Sequence, residues 1–121
     1  MPDYHEPWEA LSPKARDFHR ALTSFKEEIE AIDWYHQRVE LCTDAELKEI
    51  LAHNRDEEIE HACMTLEWLR RKMPGWYERL RTYLFNEASI ADAEEQKKNA
   101  EVGSVSGSAQ RPLGIGSLKP R

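Results

Sequence analysis

Val39-Glu-Leu-Cys-Thr-Asp-Ala-Glu-Leu47 interrupts a helical pattern that otherwise runs from Pro13 to Lys72, and the reading of this break decides the fold. Thr43-Asp-Ala-Glu46 has the form of a capping box, in which the Thr43 hydroxyl oxygen accepts from the Glu46 N–H and the Glu46 side chain reaches back to the Thr43 N–H. One helix therefore ends at Cys42-Thr43 and a second starts at about Asp44. Upstream, Ser12 is placed to cap the first helix, with Pro13 at the first helical position, where its missing N–H costs nothing. Its apolar stripe is Leu11, Ala15, Phe18, Leu22, Phe25, Ile29, Ile32, His36 and Val39, in steps of three and four. Downstream, the second helix runs to about Lys72 and is stopped by Pro74-Gly75. Two helices of about 29 residues, roughly 43 Å each, joined by one or two residues fold back as an antiparallel hairpin. A shorter helix is expected from Trp76 to about Asn86, and Ser89 begins a last polar helical piece through Lys98. The fold class is all-α.

The chain has 121 residues, enough for one domain, and its surface is very polar: 33% of residues are charged and 40% hydrophobic, with a mean hydropathy of -0.80. A monomer of this composition is marginal. Net charge is -6 and the pI is near 5.4, so the basic field that phosphate backbones require is absent and nucleic acid is not an expected partner. No run of apolar residues exceeds three, which leaves neither a membrane span nor the apolar core of a secretory signal, and a cytosolic protein is expected. Cys42 and Cys63 lack C-x-x-C spacing and read as small buried residues. Composition changes after Lys98. Every aromatic residue lies at or before Phe85, whereas four of the five glycines follow Lys98. Residues 1–98 are read as the helical domain, 99–112 as a flexible Gly/Ser-rich linker and 113–121 as a separate terminal segment.

Continuing the three-four register through the second helix gives Leu47, Leu51, Asn54, Glu58, His61, Thr65 and Trp68, with polar residues in mid-seam. A carboxylate in an apolar interface is costly unless something compensates it. Glu58 and His61 stand at i, i+3 on one face, the Glu-x-x-His arrangement with which helix bundles hold carboxylate-bridged metals. The spacing alone is weak evidence, since 17 Glu and 5 His give roughly 0.7 such pairs by chance. Position strengthens it. Residues equidistant from the turn face one another, which sets Glu28 across from Glu57 and Glu58. Glu28 also lies on the edge of the first seam, in the line Ala21, Ser24, Glu28, Ala31, Tyr35, where small side chains leave room for another backbone. One hairpin supplies one Glu and one Glu-x-x-His, half of a di-metal carboxylate site, so the other half is expected from an identical chain across a two-fold axis, forming a four-helix bundle. Four carboxylates then balance two divalent ions. Oxygen and imidazole donors without thiolate suit iron or manganese, and zinc would also bind.

The same residues admit plainer readings. Glu58 and His61 could be a metal-free polar pair, and Glu57 a solvated acid. Glu27 and Glu30 lie outside the seam as solvated face, although above a metal site they would form an acidic funnel for cations. Trp34 and Tyr35 fit interface packing, with Tyr35 two turns along from Glu28 and able to hydrogen-bond a ligand. His36, with Asp33 three residues before it, is read as structural, and His53 as a packing or polar-contact residue.

His5-Glu-Pro7, Ile32-Asp-Trp-Tyr35, Leu51-Ala-His-Asn-Arg-Asp-Glu-Glu58, Glu60-His61, Met64-Thr-Leu-Glu-Trp-Leu-Arg-Arg71 and Leu80-Arg-Thr-Tyr-Leu-Phe85 resemble the encapsulated ferritins. Leu113-Gly-Ile-Gly-Ser-Leu-Lys119 is similar to the peptide by which such cargo docks inside an encapsulin shell. The resemblance implies a two-helix protomer that pairs into a ferritin-like di-iron site, with dimers arranged in an open ring of ten chains. It implies a ferroxidase in the lumen of an encapsulin nanocompartment in the prokaryotic cytoplasm, with the shell storing the iron. By matching position, Glu28, Glu58 and His61 become the iron ligands. Glu27 and Glu30 resemble an iron-uptake site, with Trp34 and Tyr35 adjacent. Leu113, Gly114, Ile115, Gly116, Ser117, Leu118 and Lys119 become the shell-binding residues. The rival from another class is a non-catalytic adaptor, a helical dimer holding a structural Zn or Ca ion and docking a partner through its tail. A haemerythrin-like sensor would want more histidines than the five present.

Overall fold

The computed structural model describes residues 4–105 and is helical throughout. The terminal segment 113–121, with the shell-binding residues expected there, lies outside the described residues. A short 3-10 turn at Trp8–Ala10 precedes α1 (Pro13–Leu41), α2 (Ala45–Lys72), α3 (Trp76–Tyr83) and α4 (Ala93–Val105). The chain divides into two compact units, one up to Trp76 and one from Tyr77 on. Among the described residues, no helix is long and apolar enough to cross a membrane.

The first unit is the expected antiparallel hairpin. Ser12 caps α1 by accepting from the Ala15 N–H at 3.1 Å, with Pro13 in the first turn. Arg16 stacks on the Trp8 ring, 3.5 Å from its centroid, and donates to the Trp8 carbonyl from Nε and Nη2, which fastens the N-terminal turn to α1. The cap of α2 is not Thr43. Asp44 holds that position, its Oδ1 accepting from the Leu47 N–H at 2.8 Å. Both residues can cap, but an ionised carboxylate gains from the positive end of the helix dipole as well as from the hydrogen bond. Beyond α2, Gly75 takes φ +103°, a left-handed turn that suits a residue without Cβ, and Trp76 packs edge-on against Phe25 with ring centroids 6.5 Å apart.

In the second unit α3 ends three residues earlier than expected, because Phe85 turns into the left-handed region at φ 54°. Asn86 secures that turn by donating from Nδ2 to the Thr82 carbonyl and accepting from the Ala88 N–H. Ser89 belongs to a turn, accepting at its carbonyl from the Asp92 N–H, so α4 begins at Ala93. It continues through Val105, past Lys98 and into the stretch read as linker.

In both seams some of the expected positions are displaced by one residue while the others hold. On α1 the side chains turned to α2 follow Phe18, Ala21, Phe25, Glu28, Ile32, Tyr35 and Val39, while Leu22 and Ile29 remain 36% and 48% exposed. On α2, Ala62 and Leu69 are buried in place of His61 and Trp68. The buried side chains among the described residues are few: Val39, Ala62, Leu69, Thr82 and Ala93, of which Leu69 alone is large and fully enclosed. Large apolar side chains such as Ile50, Ile59 and Met64 stay open to solvent. Among the described residues the core is thus small beside the apolar surface left exposed.

Candidate metal centre

The displaced positions of the α1 seam carry Glu28 from the edge of the α1–α2 interface to its middle. There its carboxylate is poorly served. Oε1 is buried and has no hydrogen-bond partner among the described residues, and Oε2 has the Thr65 hydroxyl at 3.5 Å. Facing residues were expected to be equidistant from the turn, which would have set Glu28 against Glu57 and Glu58, but it meets Thr65 instead, one turn past His61. Side chains on a helix tilt toward its N-terminus, so those of α1 lean away from the turn and those of α2 lean toward it. Glu28 thus meets a residue farther along α2 than backbone counting predicts, whereas at the open end of the hairpin Phe18 packs edge-on against Trp68, the residue that counting gives, with ring centroids 6.1 Å apart. His36 and Arg55 are offset as Glu28 is, with Arg55 Nη1 donating to His36 Nδ1 at 3.1 Å.

Glu58 and His61 do share one face of α2. Glu58 Oε1 lies 3.5 Å from His61 Nδ1, and Glu57 Oε1 lies 3.9 Å from His61 Nε2. Both distances exceed a good hydrogen bond. The imidazole stands loosely between two carboxylates, half-exposed, so whichever nitrogen takes a cation, the other N–H has a carboxylate to turn to. Glu57 also lies 3.7 Å from His53 Nε2. Among the described residues of one chain, no group of three or more His, Cys, Asp or Glu comes together as a closed metal cage.

An open groove of about 410 Å³ runs along this face of the hairpin. Ala21 and Ser24 of α1 and Met64, Thr65 and Trp68 of α2 line it, with Asp17 and Arg20 at one end. Thr65 is the residue common to the groove and to Glu28, so the groove passes beside the under-served carboxylate. Of the other candidates, Glu27 and Glu30 are exposed on the outer face of α1. Trp34 is 51% exposed, and Tyr35 is half-buried with the Arg38 guanidinium 5.1 Å from its ring centroid. His36 accepts from Arg55 at Nδ1, and its Nε2 lies 3.9 Å from Glu40. Cys63 is exposed rather than buried, and Cys42 is half-buried with its thiol 3.6 Å from the Asp44 carbonyl. Thr65 was noted in the sequence only as a seam position. Its place four residues after His61 is the signal that its hydroxyl can reach the His61 carbonyl.

Glu28, Glu58 and His61 are the residues that could hold a cation. A buried carboxylate oxygen without a partner is costly, and hard oxygen donors beside an imidazole suit a divalent first-row metal. Residues 3–87 match the EncFtn-like family, well over half of the chain. The chain belongs to the EncFtn-like family. It is 54% identical to an encapsulated ferritin-like protein of Rhodospirillum rubrum, over 95% of this chain and 86% of that one. It is 62% identical to a ferritin-like protein of Thermotoga maritima, over 77% of this chain and 82% of that one. A crystal structure of a Nitrosomonas europaea protein, 56% identical, superposes with a TM-score of 0.73 over 74% of this chain and 99% of that one. The matched span covers the whole of the hairpin.

Proposed function

We propose that this EncFtn-like protein is a ferroxidase that oxidises Fe(II) with oxygen at a site formed between two chains, and that it works as cargo of an encapsulin shell in which the iron is stored. The observation that carries this reading is the buried Oε1 of Glu28, which has no hydrogen-bond partner among the described residues, and the Glu58–His61 pair on one face of α2 adds the oxygen and nitrogen donors. One chain offers two carboxylates and one imidazole, half of a di-iron donor set, and a second chain approaching along the groove supplies the same again. Four carboxylates against two Fe(II) leave the centre neutral.

In the metal-free chain the residues do three things. Glu28 presents a carboxylate whose desolvation has already been borne by folding, so binding a cation recovers a cost instead of adding one. Glu58 and His61 hold oxygen and nitrogen donors one turn apart on a rigid helix, and Glu57 faces the second ring nitrogen of His61. Glu27 and Glu30 add negative charge on the exposed face of the same turn as Glu28, which raises the local cation concentration. Two Fe(II) held together can pass two electrons to one oxygen molecule, and that is the chemistry the iron supplies.

The cargo role rests on the tail motif Leu113-Gly-Ile-Gly-Ser-Leu-Lys119 and on the description of the Rhodospirillum relative as encapsulated. Three spaced apolar residues can fill shallow pockets on a partner, and an oligomer presents many copies at once. The direct test is aerobic addition of Fe(II), followed by ferric absorbance. Wild type should oxidise rapidly, and Glu58→Ala or His61→Ala should abolish the fast phase with helical content unchanged. A variant lacking either side chain yet oxidising at the wild-type rate would show that another site does the work. Truncation after Gln110 should leave oxidation intact but prevent loading into a co-expressed encapsulin, and normal loading would refute the cargo reading.

A further inference from the structure

Thr65 sits where α1 and α2 both present acceptors. Its Oγ1 is 3.2 Å from the His61 carbonyl, one turn back on its own helix, and 3.5 Å from Glu28 Oε2 across the seam. A threonine in a helix has two accessible χ1 wells, one of which turns its hydroxyl to the carbonyl four residues before it, so this placement is set by the backbone. The hydroxyl carries one proton for two acceptors, and the other carboxylate oxygen, Glu28 Oε1, is buried with no hydrogen-bond partner among the described residues. Glu28 is therefore located, at one oxygen, by a group that is itself tied to the turn of α2 bearing His61.

We infer that Thr65 is a positioning residue of the metal site: its single hydroxyl proton, shared between the His61 carbonyl at 3.2 Å and Glu28 Oε2 at 3.5 Å, ties that carboxylate to the turn of α2 that bears His61 and leaves Oε1 to take a cation. The inference rests on the metal-site reading above and deepens it. A ligating carboxylate needs a partner on its outer oxygen to keep its orientation. Without one, a flexible glutamate spreads over rotamers, and each binding event has to freeze it. Thr65 also lines the open groove. Replacing the hydroxyl by a methyl of the same shape removes the proton while preserving the packing.

The test uses the full chain and Co(II) alone as probe, which binds oxygen and imidazole donors and gives an absorption band without turnover. Wild type, Thr65→Val, Thr65→Ser and Glu28→Met are titrated in parallel, with circular dichroism to check helical content. Thr65→Val should bind Co(II) about tenfold more weakly, the lower end of the range for losing a partner of a metal ligand. Thr65→Ser, which keeps the hydroxyl, should recover affinity to within about threefold of wild type. In iron oxidation Thr65→Val should raise the apparent KM for Fe(II) more than it lowers kcat. If Thr65→Val binds as tightly as wild type, or if Val and Ser variants are equally weak, the hydroxyl positions nothing and the inference is overturned while the metal site stands. If wild type fails to bind, or Glu28→Met binds as well as wild type, the metal-site reading itself falls and the inference with it.

Discussion

Replacing Glu28 by Met should stabilise the metal-free protein while removing its oxidase activity. Methionine has nearly the length of glutamate and a similar helix propensity, so α1 and the seam volume are preserved. What changes is the carboxylate, whose buried Oε1 has no hydrogen-bond partner among the described residues and whose Oε2 has the Thr65 hydroxyl at 3.5 Å. Leaving one buried acceptor unsatisfied costs about 1–3 kcal/mol, more when the group is charged. Removing it should raise metal-free stability by about 1–3 kcal/mol, and for a chain of this size each kcal/mol moves the midpoint by roughly 4–8 °C. The assay is thermal unfolding by circular dichroism with chelator present, at one protein concentration because association contributes. Ferric absorbance is followed in parallel. A variant less stable than wild type would mean that the carboxylate is paired in the metal-free protein, and one that still oxidises iron quickly would remove Glu28 from the site.

Asp44→Ala should lower stability by about 1 kcal/mol through loss of its cap on the Leu47 N–H, whereas Thr43→Ala should change little; equal effects in chemical denaturation would return the cap to Thr43. Glu67 hydrogen-bonds Arg70 from both carboxylate oxygens at 2.7 Å and Arg71 at 2.6 Å, and these bonds, Arg70's first, lower its pKa from 4.5 to about 2. Its contribution to stability is complete above about pH 4.5 and lost as pH falls toward 2, and Glu67→Gln should flatten that part of the acid-unfolding curve. The side chain is 41% exposed, so solvent screening keeps the effect below about 1 kcal/mol. Glu27→Ala with Glu30→Ala should slow iron uptake at low ionic strength more than at high, without preventing occupancy of the site; a time course unchanged at every salt concentration would remove their steering role.

The hairpin was legible because its punctuation is local. Ser12-Pro13, the break near Thr43 and Pro74-Gly75 each act within one turn, and the structure keeps α1 and α2 within a residue or so of the expected limits. Phe85 was not legible, since nothing in its side chain foretells a left-handed backbone; Asn86, bonding on both sides of that turn, was the available hint. In the candidate site, the pairing of Glu58 with His61 followed from helical period alone. The partner of Glu28 did not, because contact across two antiparallel helices depends on the tilt of both side chains as well as on distance from the turn. A stripe of apolar residues likewise fixes a helix face only to within about one position. Leu22 and Ile29 drew the expected seam toward themselves, although they belong to the surface the single hairpin leaves open.

Native mass spectrometry of the full-length chain, prepared with chelator and again after anaerobic addition of Fe(II), tests the shared site most directly, because it counts chains and metal ions in the same particle. Four carboxylates meeting at a two-fold axis repel until cations arrive, so iron should shift the protein toward larger, even-numbered assemblies carrying two iron ions per pair of chains. Glu58→Ala should remove both the iron and the shift. Iron retained by single chains, or an assembly whose mass is the same with chelator and with iron, would contradict a site built from two chains.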